Sequence, residues 1–198
     1  MRRILAALAL ASLAACATAT GPGAADRFDR FEGDAATAAA YTRVFVAPVA
    51  VSPEIQARTE TRGTRPFRDD ERPLGERDIR RNTAALTDAL RRELAGVAEV
   101  ADAPGPGVLT IALTLTALDA NRPTMAEQRA NPSLSFQSIS VGAAGVSGEL
   151  REGDRVIARF EDRNLPARIT DPTIGAGQWV EADRYYRQLA SKLADLLR

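Results

Sequence analysis

Apolar positions along the chain repeat with two different periods, and the switches between them mark the elements. From 108 to 118, Leu109, Ile111, Leu113 and Leu115 alternate with Thr110, Ala112, Thr114 and Thr116. A period of two places alternate side chains on opposite faces, which predicts a strand with one core face and one milder face. Residues 155–162, "RVIARFED", repeat that alternation with Val156, Ala158 and Phe160 on one side. They follow the glycine-rich stretch 138–151 across the tight turn Glu152-Gly153-Asp154, so a hairpin is predicted. Residues 43–51, "RVFVAPVAV", are almost continuously apolar and β-branched, as in a strand buried on both faces. Pro48 has no N–H and weakens that strand or places a bulge in it. Residues 97–102, "VAEVAD", predict one more short strand.

Two segments recur at three- and four-residue steps instead. In 78–96, Ile79, Leu86, Leu90 and Leu94 share one face; Asp78 can cap the start and Gly96 can end the helix. In 178–198 the stripe is Trp179, Ala182, Tyr186, Leu189, Leu193 and Leu196. The order is strand, helix, four strands, helix. It predicts an α+β fold, a mostly antiparallel sheet of four to five strands with two helices packed on one face. The first strand–helix–strand unit is expected to cross right-handed. Residues 52–76 and 119–137 mix charges and prolines and read as exposed connections, and 164–177 as a linker.

The first residues follow neither period. Arg2 and Arg3 precede an apolar run of about ten residues, half of what a membrane-spanning helix needs. Small residues and Cys16 end it: "LAAC", Leu13, Ala14, Ala15 and Cys16. This layout describes a secretory signal peptide, and its ending resembles the bacterial lipobox. That resemblance implies diacylglycerol on the Cys16 sulfur, peptidase recognition of Leu13, Ala14 and Ala15, and cleavage before Cys16. Ala17, not Asp, follows the cysteine, which favours the outer membrane. Three segments are therefore expected: a cleaved leader over 1–15, a flexible lipidated tether over 16–40, and one α+β periplasmic domain over 41–198. In the tether, Phe28 and Phe31 are expected to dock on the fold.

Composition narrows the chemistry. Histidine is absent and Cys16 is the only cysteine. No disulfide can form within the chain, and no Ser-His-Asp, Cys-His or histidine-based zinc site can be assembled. No catalytic residues, metal or cofactor are expected. Losing Arg2 and Arg3 with the leader makes a balanced chain slightly acidic, which argues against nucleic acid as a partner. All basic residues but Lys192 are arginines.

The remaining candidates are few. Gly142, Gly145 and Gly148 lie in a strand, not a strand-to-helix turn, so they read as a bulge or close packing. Asp69, Asp70 and Glu71 read as a solvated turn. Glu149 and Glu161 flank the hairpin and are the pair for an alternative function, a carboxylate-dependent hydrolase acting on cell-wall glycan. Facing arginines make cross-strand ion pairs the simpler account. Tyr185, off the apolar stripe of the last helix, is the candidate for an exposed partner contact.

With these pieces in order, the chain resembles a family of Gram-negative lipoproteins, domain of unknown function 3313. The marks are the lipobox, "RVFVAPVAV", "PGPGVLTIALTLTALDANRP", "SGELREGDRVIARFED" and the final tryptophan with its helix. The departure is at 151–154, Arg-Glu-Gly-Asp, where the family often has Asp-Ser-x-Thr-Gly. The resemblance implies location and fold but no activity. The expected function is that of a non-catalytic outer-membrane lipoprotein. It would be held to the membrane through Cys16, and it would bind an envelope protein or lipid partner in assembly, transport or integrity.

Overall fold

Leu109, Ile111, Leu113 and Leu115 are buried together, and they form the centre of the sheet. The computed structural model describes residues 23–60, 72–135, 137–164 and 177–198. The leader, Cys16, the Asp69-Asp70-Glu71 triplet and most of the 164–177 linker lie outside the described residues.

The strands are β1 (Arg30–Gly33), β2 (Arg43–Val46), β3 (Ala50–Val51), β4 (Glu99–Val100), β5 (Leu109–Asp119), β6 (Ala143–Glu152) and β7 (Arg155–Arg163). Their order across the sheet is β1-β7-β6-β5-β2-β4, with β3 also beside β5. The pairs β1/β7, β7/β6 and β6/β5 are antiparallel. The pairs β5/β2, β5/β3 and β2/β4 are parallel. The fold is α+β as expected, but the sheet is mixed and has seven strands among the described residues. The short Pro-Gly connection between β4 and β5 does not join neighbours in the sheet. Instead β2 lies between them, and all three run the same way.

The run 43–51 is divided as its proline requires. The Ala47 N–H donates to Ile111 O and the Ser52 N–H to Leu115 O, both at 3.0 Å. Odd-numbered amides point at β5 before Pro48 and even-numbered ones after it. The strand therefore changes face at the break, giving β2 and β3.

Five α-helices are described: α1 (Ala35–Ala39), α2 (Pro53–Glu60), α3 (Glu76–Leu94), α4 (Met125–Ala130) and α5 (Val180–Leu196). The two long ones, α3 and α5, pack on each other and on the core face of the sheet. Gly75 caps α3, and its N–H donates to the Asp78 carboxylate at 3.0 Å. Asp78 thus serves the cap from the third helical position. Helices α2 and α4 lie in connections expected to be irregular. Thr124 and Glu127 form a reciprocal capping box for α4, at 3.1 Å and 2.6 Å. Two arginines tie these connections down. Arg58 donates to Leu118 O and Asp119 Oδ1, each at 2.9 Å. Arg72 donates to Ala120 O, Ser140 Oγ and the buried Glu127 carboxylate.

Residues 23–40, expected to belong to the tether, are not a loose segment. From residue 23 the chain is part of the fold: a 3-10 turn (Ala24–Arg27), β1 and α1 precede β2. Phe28 is buried against Phe160, with ring centroids 4.8 Å apart, and touches Phe31 at 5.8 Å. The expectation that these rings dock on the fold holds; the expectation of a loose segment from 23 to 40 does not. Strand β1 is held by pairing with β7, where Arg30 faces Glu161 and Glu32 faces Arg159.

Candidate functional site: the open face of the sheet

The alternation that sends Leu109, Ile111, Leu113 and Leu115 toward the helices sends their neighbours to the other face. Pairing registers arrange those neighbours in rows. One row runs Phe45, Thr110, Arg151, Val156. The next runs Ala112, Glu149, Arg159, Glu32. A third runs Ala50, Thr114, Ser147, Glu161, Arg30. Together with Ala47 and Pro48, members of these rows line an open concavity of about 620 Å³. One side of it is charged, over β1, β7 and β6. The other is neutral and built of small side chains, over β5 and the β2–β3 break.

The charged half is a checkerboard. Arg159 Nε donates to Glu149 Oε1 at 2.8 Å. Arg30 pairs with Glu32 and lies 3.8 Å from Glu161. Glu149 and Glu161 do share this face, as diagonal neighbours on β6 and β7. Each carboxylate has an arginine partner, and their side chains are 41% and 64% exposed. Neither sits in the apolar, water-excluding environment that holds one carboxyl of a glycosidase pair protonated. The cross-strand ion pairs expected of this hairpin are present for Glu149.

Arg151 differs from its neighbours. Its Nε–H is buried and donates to no partner. The two nearest carboxylates in sequence are committed elsewhere, Glu149 to Arg159 and Glu152 to Tyr41 and Gly107. The Tyr41 hydroxyl donates to Glu152 Oε2 at 2.8 Å and the Gly107 N–H to Oε1 at 2.6 Å. Those bonds, the tyrosine's first, hold the Glu152 carboxyl below its ordinary range. The same hydrogen bond raises the Tyr41 hydroxyl. The sequence reads Arg151, with Arg155, Arg159 and Arg163, as an arginine facing the hairpin carboxylates; the structure pairs Arg159 in this way but not Arg151. Its signal is legible only after pairing is known, as the arginine of this face opposite a threonine rather than a glutamate.

Tyr185 is not a surface residue. It is 2% exposed, its hydroxyl donates to Asp162 O at 2.7 Å, and burial raises its pKa far above the ordinary tyrosine value. Helix α5 is covered on two sides, by α3 and by the sheet with the N-terminal turn, so its buried stripe is wider than one period-3.6 face. Gly148 packs as expected: a Cβ there would lie 2.3 Å from Phe160 Cζ. Cys16, Leu13, Ala14 and Ala15 lie outside the described residues. Among the described residues no group of three or more acidic or cysteine side chains could hold a metal ion. No described helix is long and apolar enough to cross a membrane.

The sequence matches the family described as protein of unknown function DUF3313 over residues 18–150. The chain belongs to that family. No curated protein matches this DUF3313 member. Among solved structures it is similar to a PelC dodecamer variant from Paraburkholderia phytofirmans. The identity there is 11% and the TM-score 0.44, over 83% of this chain and 94% of that one. It is also similar to a DUF330 protein from Xanthomonas campestris, at 15% identity and a TM-score of 0.43. That match covers 78% of this chain and 82% of the other.

Proposed function

We propose that this DUF3313 member is a non-catalytic lipoprotein of the outer membrane, anchored by acyl chains on Cys16 and facing the periplasm. It works by binding an envelope protein or lipid partner on the open face of its sheet. The observation that carries this reading is the concavity. One face of the sheet is filled by α3 and α5, whereas the other presents a space of about 620 Å³, within the size range of ligand sites. The lipobox resemblance supports the anchor, and the lack of histidine supports binding over acid–base catalysis. For Glu149 and Glu161 as a hydrolytic pair, no observation is favourable: both are exposed and lie beside arginines.

The test is photo-crosslinking in cells. A crosslinking amino acid replaces Thr114, on the open face, or Arg80, exposed on α3. A discrete adduct, protein or lipid, from position 114 and none from position 80 is expected. Adducts from both positions alike, or from neither, would overturn the assignment of this face.

A further inference from the structure

We infer that Arg151 is the anion-binding point of the open face, and that the group it takes is a phosphate, free or carried on a slender body. This rests on the reading of that face as the binding surface and adds the chemistry of what binds. Buried donors in folded proteins are normally hydrogen-bonded; the Arg151 Nε is buried and has no partner. Burial on a strand two residues from Glu149 offers an obvious ion pair, yet Glu149 is bonded to Arg159. Glu152, on the other side, is bonded to Tyr41 and Gly107. The fold thus pairs Arg30 and Arg159 on this face and leaves Arg151 with its charge uncompensated, lining the concavity.

The complement of that charge is an oxyanion, because a guanidinium offers parallel N–H groups matched to two oxygens of one acid group. The shape of the site limits the rest of the ligand. From Arg151 the concavity continues over Ala112, Thr114, Ala47, Pro48 and Ala50. These side chains are small and uncharged, so a narrow, weakly polar body fits there. The Glu149–Arg159 pair lies in the row beside Arg151, so charge is met on the β7 side and the neutral strip runs on the β5 side. Phosphate chemistry of this kind comes either as a free anion or as the headgroup of a lipid, whose acyl chain would occupy the neutral strip.

The full chain, purified in a non-ionic detergent, is titrated with inorganic phosphate and separately with dihexanoylphosphatidylglycerol below its micelle concentration. The readout is the NMR signal of the arginine Nε–Hε groups. A saturable shift of the Arg151 signal is expected. Arg151→Gln is expected to weaken binding at least tenfold, and Arg151→Lys, which keeps the charge but not the planar fork, to restore part of it. Phospholipid binding at least tenfold tighter than phosphate identifies a lipid headgroup; equal affinities identify a free anion. No saturable shift with either probe, or unchanged affinity in Arg151→Gln with the fold intact, would overturn the inference. Crosslinking from position 114 that persists after such a failure would leave the binding face standing without this subsite. A normal titration with no crosslinks would remove the in-cell partner and keep the subsite.

Discussion

Lys192 Nζ donates to Asp162 Oδ1 at 2.6 Å, joining α5 to β7 through the one lysine of the chain. Asp162 is 3% exposed, and its second carboxylate oxygen has no partner. The same ammonium lies 5.8 Å from the centre of the Phe28 ring. One cation therefore serves the last helix, the last strand and the N-terminal turn together.

This pair has a pH signature. Burial raises the Asp162 carboxyl above its ordinary 3.8, and the Lys192 hydrogen bond partly offsets that. A carboxyl raised by folding contributes stability that is full below its unfolded pKa and is lost as pH rises through the folded one. Lys192→Met keeps the apolar stem but removes the offset, so the loss becomes larger and reaches to higher pH. Breaking a buried pair costs roughly 3–5 kcal/mol. With the Lys192 side chain 27% exposed, about 3 kcal/mol is expected at pH 7, shrinking as pH falls through the raised Asp162 range and smallest at the acid end. Urea unfolding of both proteins from pH 3.5 to 8 checks this; a deficit of equal size at every pH would contradict it.

Gly148 is held by contact rather than by backbone conformation. A Cβ there would meet Phe160 Cζ at 2.3 Å and Leu113 Cδ2 at 2.8 Å. Gly148→Ala forces the central core apart and is expected to cost about 1–3 kcal/mol. Gly145→Ala, whose nearest contacts are 3.2 Å away, is expected to cost less. Thermal melts of the two variants give the comparison, and equal shifts would refute the packing argument.

Asn121 fastens the start of α5 from outside the helix. Its Oδ1 accepts from the Glu181 N–H at 3.0 Å, and its own N–H donates to Gln178 O at 2.8 Å. Asn121→Ala leaves a buried helix-start donor unmet, at an expected cost of about 1–2 kcal/mol. Hydrogen exchange at the Glu181 amide should accelerate more than at Leu193; uniform acceleration would mean the residue acts only through global stability.

Lipidation has a direct readout. Cys16→Ala is expected to abolish incorporation of labelled palmitate and to leave a precursor that keeps its leader. Labelling that survives the substitution would remove the anchor from the proposed function.

Much of this architecture is legible in residue order, because it rests on repeats. Leu109 to Leu115 announce β5, Pro48 announces the break beside it, and Leu86, Leu90 and Leu94 announce α3. What stays hidden depends on partners distant in sequence. Strand β1 has only Phe31 facing inward, and its other support is the charge match of Arg30 and Glu32 to Glu161 and Arg159, meaningless until β7 is its neighbour. The parallel placement of β2, β4 and β5 is hidden for the same reason: strand direction belongs to the crossover, and a Pro-Gly turn reads alike in either case. Tyr185 misleads because periodicity counts one buried face, whereas α5 has two. At the candidate site, the carboxylates were visible by type. The arginine without a partner was not, since having none is a property of the assembled sheet.

Under the proposed anchoring, the early start of the fold would set a short leash. If Cys16 carries the proposed acyl anchor, seven Cα steps would separate the lipid from Gly23, which is already seated beside the 3-10 turn. At full stretch they span at most about 25 Å. A segment loose to residue 40 would let the domain roam roughly three times as far. On the proposed anchoring, the domain would be kept against its own bilayer, a sentinel meeting what arrives at that surface rather than reaching across the periplasm for it.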